Sequence, residues 1–143
     1  MLHKMFTLID TIKPFPTVSA HCDVPCGIYD PKPAQIAAAT ILKMVQKINE
    51  LPKEKSLTDK NNLMRMIWTK EEHARICKHE ILVLWTDYFK PEHVDKFPKL
   101  HETFWKAAKL VSKNKQNVDE EAAKELVAAV NEIAKMFEES KTK

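Results

Sequence analysis

The stretch DKNNLMRMIWTKEEHARICKHEILVLWTDYF (residues 59–89) carries the longest helical pattern in the chain. Its apolar residues recur three and four positions apart, the spacing of one face of an α-helix. The stripe consists of Leu63, Ile67, Ala74, Cys77, Ile81 and Leu84, with Lys70 as an exception. The residues expected to widen the buried arc are Met64, Met66, Trp68 and Trp85. The pattern predicts a long amphipathic helix that Lys90-Pro91 stops.

Three shorter helical patterns surround this stretch. The first covers residues 34–48 after the capping residue Asp30, the second residues 100–111 after Pro98, and the third residues 126–137 after a run of acids. Connections between them are short, and no strand pattern occurs. Ser56 and Thr58 are candidate caps of the long helix. These features predict an all-α fold, an antiparallel four-helix bundle.

Composition narrows the class of protein. The chain has 143 residues, enough for one domain with a proper core, and a formal net charge of +3. That charge is too small to indicate nucleic-acid binding, and no apolar run approaches membrane-spanning length. Its three cysteines cannot form a closed disulfide framework. We therefore expect a soluble protein of a reducing compartment, the cytoplasm, with Cys77 as a small core residue.

The stretch HCDVPCGIY (residues 21–29) is the candidate for chemistry. It places the thiols of Cys22 and Cys26 four positions apart, directly after the imidazole of His21. Gly27 is the only glycine of the chain, so it is expected where the backbone adopts a conformation that other residues avoid. Pro25 makes the segment a tight turn. Thiolate and imidazole together suit nickel, copper or zinc better than hard cations.

The same stretch resembles the metal-binding hook of the nickel superoxide dismutases. Seven of its nine residues match the family pattern His-Cys-Asp-x-Pro-Cys-Gly-x-Tyr, the exceptions being Val24 and Ile28. A second match is the segment LWTDYFKP (residues 84–91), and the resemblance covers residues 21–143. It implies an enzyme that disproportionates superoxide by cycling between Ni(II) and Ni(III), with one nickel ion per subunit.

The resemblance also implies a ligand set. The nickel ligands would be the amine, once it is freed, and the ring of His21, the amide nitrogen and sulfur of Cys22, and the sulfur of Cys26. Tyr29 would stand beside the open coordination position, held by hydrogen bonds to Asp23 and Tyr88. The residue before Pro25 would be joined to it by a cis bond.

Two positions depart from better-known members of that family, which place a glutamate and an arginine around the axial imidazole. Here the matching residues are Ala37 and His73. A metal-bound imidazole usually has its other nitrogen hydrogen-bonded. Ala37 cannot supply that bond, so we expect His73 to approach the ring of His21 instead.

The amine ligand exists only if the bond before His21 is cut. Residues 1–20 are therefore expected to be a leader that a maturation protease removes, leaving residues 21–143 as the functional domain. Small residues at Ser19 and Ala20 suit such a cleavage site. The resemblance further implies a homo-oligomer, a hexamer, with the hooks held inside.

Two other functions fit the same residues. One is a non-enzymatic helical bundle that binds nickel or copper, and the other is a helical interaction protein whose hook forms a redox disulfide. Tyr29 favours the enzyme, because a metal carrier needs no residue beside an open coordination position.

Overall fold

A computed structural model of the protein describes residues 27–141. In chain order its elements are α1 (Lys32–Asn49), α2 (Leu57–Val83), a π-helical turn (Leu84–Tyr88), α3 (Pro91–Lys96), α4 (Leu100–Gln116) and α5 (Glu120–Ser140). That part of the chain contains no strand, so the predicted all-α class is confirmed. Within the same residues, no helix is both long and apolar enough to cross a membrane.

The four long helices pack side by side as an antiparallel bundle. Helix α1 contacts α2 and α5, and α4 contacts the same two helices, so α1 and α4 face each other across a diagonal. Hydrogen bonds fix the directions. Gln35 near the start of α1 bonds Asn131 late in α5, whereas Gln46 near the end of α1 bonds Glu120 at the start of α5. The predicted antiparallel four-helix bundle is confirmed.

The core lies where the apolar stripes of these helices meet. Its largest fully buried side chains include Phe104 of α4 and Phe137 of α5. Alanines at positions 34, 38 and 74 are completely buried, and their small side chains let the helix backbones approach closely. Four members of the predicted α2 stripe are buried, namely Ala74, Cys77, Ile81 and Leu84.

Part of the predicted buried arc of α2 was wrong. Trp68 is 75% exposed and Met64 is 67% exposed. At about 100° per residue, Trp68 lies roughly 150° around the helix from the centre of the buried stripe, so it points to solvent despite its apolar ring. Met66 and Trp85 lie closer to the stripe and are half-buried.

Side-chain caps mark the start of two of the described helices, α2 and α5. The Ser56 hydroxyl accepts from the backbone nitrogen of Asp59, and the Asp59 carboxylate accepts from the backbone nitrogen of Ser56. This reciprocal pair is a capping box, so the predicted cap Ser56 is confirmed. Asp119 likewise accepts from the backbone nitrogen of Ala122 at the start of α5. Helix α3 is a single short helix in the connection between α2 and α4.

Lys70, the exception in the apolar stripe, is only 2% exposed. Its ammonium donates to the backbone oxygens of Asn114 and Lys115, the latter at 2.9 Å, and to the Glu71 carboxylate at 3.0 Å. Those oxygens belong to the last turn of α4, where carbonyls lack partners within the helix and carry partial negative charge. The buried lysine therefore caps the end of a neighbouring helix.

We predict that Lys70→Met lowers the free energy of unfolding by about 1.5–3 kcal/mol, because backbone oxygens at the end of α4 lose their charged donor. Urea denaturation of the full chain followed by circular dichroism measures this. The control is Lys135→Met, which removes a lysine whose side chain is 66% exposed and should change the free energy by no more than about 0.5 kcal/mol. Equal effects of the two changes would contradict the capping role.

Candidate metal centre

The predicted hook enters the described part of the chain at Gly27. The residues His21, Cys22, Asp23, Pro25 and Cys26 lie outside the described residues, so their roles stay predictions. Gly27 has a φ of +70°, in the left-handed region that side chains other than glycine rarely adopt. This confirms the expectation that the lone glycine occupies a special backbone conformation.

Tyr29 lies two residues beyond Gly27, in the segment that leads into α1. The centre of its ring is 5.4 Å from that of Tyr88, and the two planes are inclined by 59°. Tyr29 is half-buried, since one side packs against the bundle. The structure thus brings together two residues that sequence reasoning assigned to the site, from positions 59 residues apart in the chain.

Tyr88 ends the π-helical turn and sits in an aromatic cluster. The ring centroids of Phe137, Phe89 and His93 lie 4.5, 5.0 and 5.7 Å from that of Tyr88. The His93 ring is nearly parallel to it, and the His93 Nδ1 accepts from the backbone nitrogen of Lys90 at 2.9 Å. The Tyr88 hydroxyl lies 2.6 Å from the Ser140 hydroxyl. The tyrosine is held on several sides by α3 and α5.

A cavity of about 380 Å³ opens beside these two tyrosines. Its lining consists of Gly27, Tyr29, Asp87, Tyr88, Lys90, Glu92 and His93. The charges are mixed, with one lysine and two carboxylates beside the two tyrosine rings, so the cavity offers both polar and apolar contacts. It adjoins the point at which residues 21–26 join the bundle.

A metal ion at this end of the protein would depend on the residues before Gly27. Within residues 27–141, no group of three His, Cys, Asp or Glu side chains could hold one. The third thiol, Cys77, is buried in the core, and this burial, with a smaller effect from Glu80, raises its pKa to about 12. It stays protonated at neutral pH and is not a ligand. Two thiols and an imidazole fit a soft transition metal such as nickel.

The two residues that depart from the family pattern, Ala37 and His73, lie on α1 and α2. Ala37 of α1 is 1% exposed and contributes only a methyl group. His73 of α2 is half-buried, and its Nδ1 lies 2.9 Å from the backbone oxygen of Thr69. Because a carbonyl oxygen can only accept, Nδ1 carries the proton, and Nε2 remains for another partner. Whether that partner is His21 stays a prediction.

Sequence reasoning missed His93 and Ser140 as neighbours of Tyr88. His93 follows Tyr88 by five positions, a spacing that neither helix nor strand periodicity selects. Ser140 lies 52 residues away at the end of α5. Only the tertiary packing brings either residue to the tyrosine, so no local signal could have identified them.

The chain is similar to known proteins along nearly its whole length. The model of the family described as nickel-containing superoxide dismutase matches residues 16–141. The nickel superoxide dismutase of Streptomyces coelicolor is 38% identical over 141 residues, which cover 99% of this chain and 98% of the relative. That of Streptomyces seoulensis is 36% identical over the same share of each chain.

Solved structures give the same result. The native structure of a nickel superoxide dismutase matches with a TM-score of 0.76 and 34% identity, covering 85% of this chain and 100% of that one. A nickel-containing superoxide dismutase with nickel ligation corresponding to the oxidised state matches with a TM-score of 0.77 and 34% identity, over 86% and 100% of the two chains.

We predict that two of the three thiols in the reduced, metal-free protein react with iodoacetamide at about pH 8, near the ordinary thiol pKa of about 8.5. Cys77 should react only after denaturant is added, because burial raises its pKa to about 12 and blocks access to it. Peptide mass spectrometry before and after unfolding measures this. Modification of Cys77 at the rate of the other two thiols would contradict the assignment.

Proposed function

The chain belongs to the nickel-containing superoxide dismutase family, and we propose that residues 21–29 form the site at which it converts superoxide to dioxygen and hydrogen peroxide. One observation carries this assignment. The family match extends over residues 16–141, and within it only the segment before Gly27 offers a set of soft donors. His21, Cys22 and Cys26 are the metal ligands in this proposal.

When bound, nickel supplies the one-electron cycling between two oxidation states that disproportionation of superoxide requires. The sulfurs of Cys22 and Cys26 would hold the ion as thiolates, soft anionic donors that suit such a metal. The ring of His21 would be a further donor, and His73 would support it. Asp23 and Pro25 shape the loop that carries these donors.

Tyr29 controls access in this proposal. Its hydroxyl orders water beside the open position and restricts entry to small anions. The packing of its ring against Tyr88 supports this role, because it leaves Tyr29 little freedom to swing away. Lys90 lines the adjoining cavity beside the carboxylates of Asp87 and Glu92, where its positive charge partly offsets their repulsion of an anion such as superoxide. Formation of hydrogen peroxide also takes up two protons, which solvent would supply.

We further propose that residues 1–20 are a leader that a maturation protease removes. Coordination by the His21 amine requires this cleavage, since the same nitrogen is otherwise an amide. Coverage of the relatives supports the idea. The relative from Streptomyces coelicolor aligns with 99% of this chain. The native solved structure aligns over its whole length with only 85% of this chain. The part of this chain left unaligned is about one seventh, near the length of the leader.

The proposed assembly is a homohexamer in the cytoplasm with one nickel ion per subunit. Exposed apolar side chains support an oligomer, because Trp68 and Trp105 are 75% and 58% exposed in the single chain. Contacts between subunits would cover such rings. Cys22 and Cys26 must stay reduced to bind the metal. This requirement supports a reducing compartment, the cytoplasm. Analytical ultracentrifugation and cell fractionation test these two proposals.

We predict that the full-length chain binds nickel weakly and is inactive, and that cleavage after Ala20 switches on both properties. The reason is that cleavage converts the His21 nitrogen from an amide into an amine. Nickel titration and pulse-radiolysis assays of superoxide loss, on both forms, measure this. Full activity from a chain whose leader cannot be removed would contradict the proposal. Tight nickel binding without superoxide loss would support a metal carrier instead.

We also predict that Cys22→Ser and Cys26→Ser each abolish turnover in the mature form, because a neutral hydroxyl replaces an anionic sulfur. The matched control is Cys77→Ala, which removes the third thiol and should leave turnover unchanged although it lowers stability. Superoxide assays together with circular dichroism separate loss of chemistry from loss of fold. Near-normal turnover in either serine variant would exclude that sulfur as a ligand.

A further inference from the structure

The hydrogen bond between Tyr88 and Ser140 has a defined direction. The two hydroxyl oxygens are 2.6 Å apart, and either could in principle donate. The Ser140 hydroxyl also lies 2.7 Å from the backbone oxygen of Phe137, in its own helix. A carbonyl oxygen has no hydrogen, so Ser140 must donate its single hydrogen to Phe137. Tyr88 is therefore the donor to Ser140.

Ser140 is held in place although it is the last residue of α5. The Lys96 ammonium of α3 donates to the backbone oxygen of Glu139 at 2.6 Å, and the Lys141 ammonium lies 4.2 Å from the centre of the Phe137 ring. The ring centres of Phe137 and Tyr88 are 4.5 Å apart. These contacts tie the end of the helix to the tyrosine, so the acceptor is fixed rather than frayed.

The direction of this bond decides what Tyr88 can offer to the cavity. A phenol has one hydrogen and can also accept. With that hydrogen committed to Ser140, the Tyr88 oxygen can act toward a further partner only as an acceptor, and Tyr88 lines the cavity together with Tyr29. Its partner there must be a donor, such as the Tyr29 hydroxyl, a water molecule or a protonated peroxide.

We propose that Ser140 is a positioning residue, which acts through Tyr88 to keep a hydrogen-bond acceptor beside Tyr29. No metal ligand is involved, and the serine lies at the opposite end of the chain from the hook. Its effect on turnover rests on the proposed function, whereas the direction of the hydrogen bond does not. The two parts can therefore be tested separately.

The first test measures the hydrogen bond in the metal-free full-length protein. Tyr29→Phe leaves Tyr88 as the only tyrosine, because the chain has two. The Raman Fermi doublet of tyrosine then reports its hydrogen bonding, with a low intensity ratio when the phenol donates and a high ratio when it only accepts. We expect a low ratio that rises when Ser140→Ala is added and falls again with Ser140→Thr, which restores a hydroxyl.

Ser112→Ala is the matched control for this test. Ser112 also donates to a carbonyl of its own helix, that of Ala108, but its neighbour is Lys78 rather than a tyrosine. It should leave the doublet unchanged. A high intensity ratio in the Tyr29→Phe protein would overturn the assigned direction of the hydrogen bond. This outcome can be observed even if no Ser140 variant folds. An unchanged ratio after Ser140→Ala would overturn it as well.

The second test uses the mature, nickel-loaded enzyme with Tyr29 intact. Loss of one hydrogen bond corresponds to about a 2- to 10-fold change, and we expect Ser140→Ala to change turnover or azide inhibition by that factor. Ser140→Thr and Ser112→Ala should match the parent. If Ser140→Ala shifts the doublet but alters neither kinetic property, the positioning role is rejected. If the nickel-loaded enzyme without a Ser140 change is inactive although the doublet is as expected, both the positioning role of Ser140 and the proposed function are rejected. The assigned direction of the Tyr88–Ser140 hydrogen bond is then unaffected.

Discussion

The packing of Tyr88 is the constraint on which the functional end of this protein depends. Its ring meets Tyr29 from the N-terminal segment, His93 from α3 and Phe137 from α5. Three parts of the chain that are far apart in sequence therefore converge on one side chain. The π-helical turn contributes to this convergence. It closes with a bond from the Phe89 nitrogen to the Leu84 oxygen, which adds one residue to the final turn and ends the long helix.

In the proposed site, the bundle and the N-terminal segment have different roles: the segment carries the metal ligands and the bundle supports it. The described helices keep their soft donor out of reach, because Cys77 is buried and remains a thiol at neutral pH. They offer no competing cluster of donors within residues 27–141. In the proposed site, the segment before Gly27 would therefore hold the metal ion. The bundle supplies a fixed support for that segment instead, through the contact between Tyr29 and Tyr88.

The bundle could be predicted from the sequence because it follows from local rules. Periodicity located the four helices, and Ser56 was one of two candidate caps, with Thr58, because such side chains accept from backbone nitrogens at helix starts. The two failures have different physical causes. Trp68 was expected to be buried because hydrophobicity was weighed without its angle around the helix, and Lys70 was set aside because its partners lie 44 and 45 residues away. The residues of the candidate site also differ in how far the sequence could reveal them. The hook residues form one continuous motif, whereas the Ser140 contact exists only after folding.

The conformation of Gly27 has a consequence for chirality. Its φ of +70° is the mirror image of the values that L-residues prefer, and no described atom lies within 4 Å of the position where an L-side chain would begin. The demand at this position thus comes from the backbone and not from crowding by those atoms. A D-amino acid favours positive φ as naturally as an L-residue favours negative φ. By its backbone angle, position 27 of a hook made by chemical synthesis and ligated to the bundle would therefore take D-alanine more readily than L-alanine.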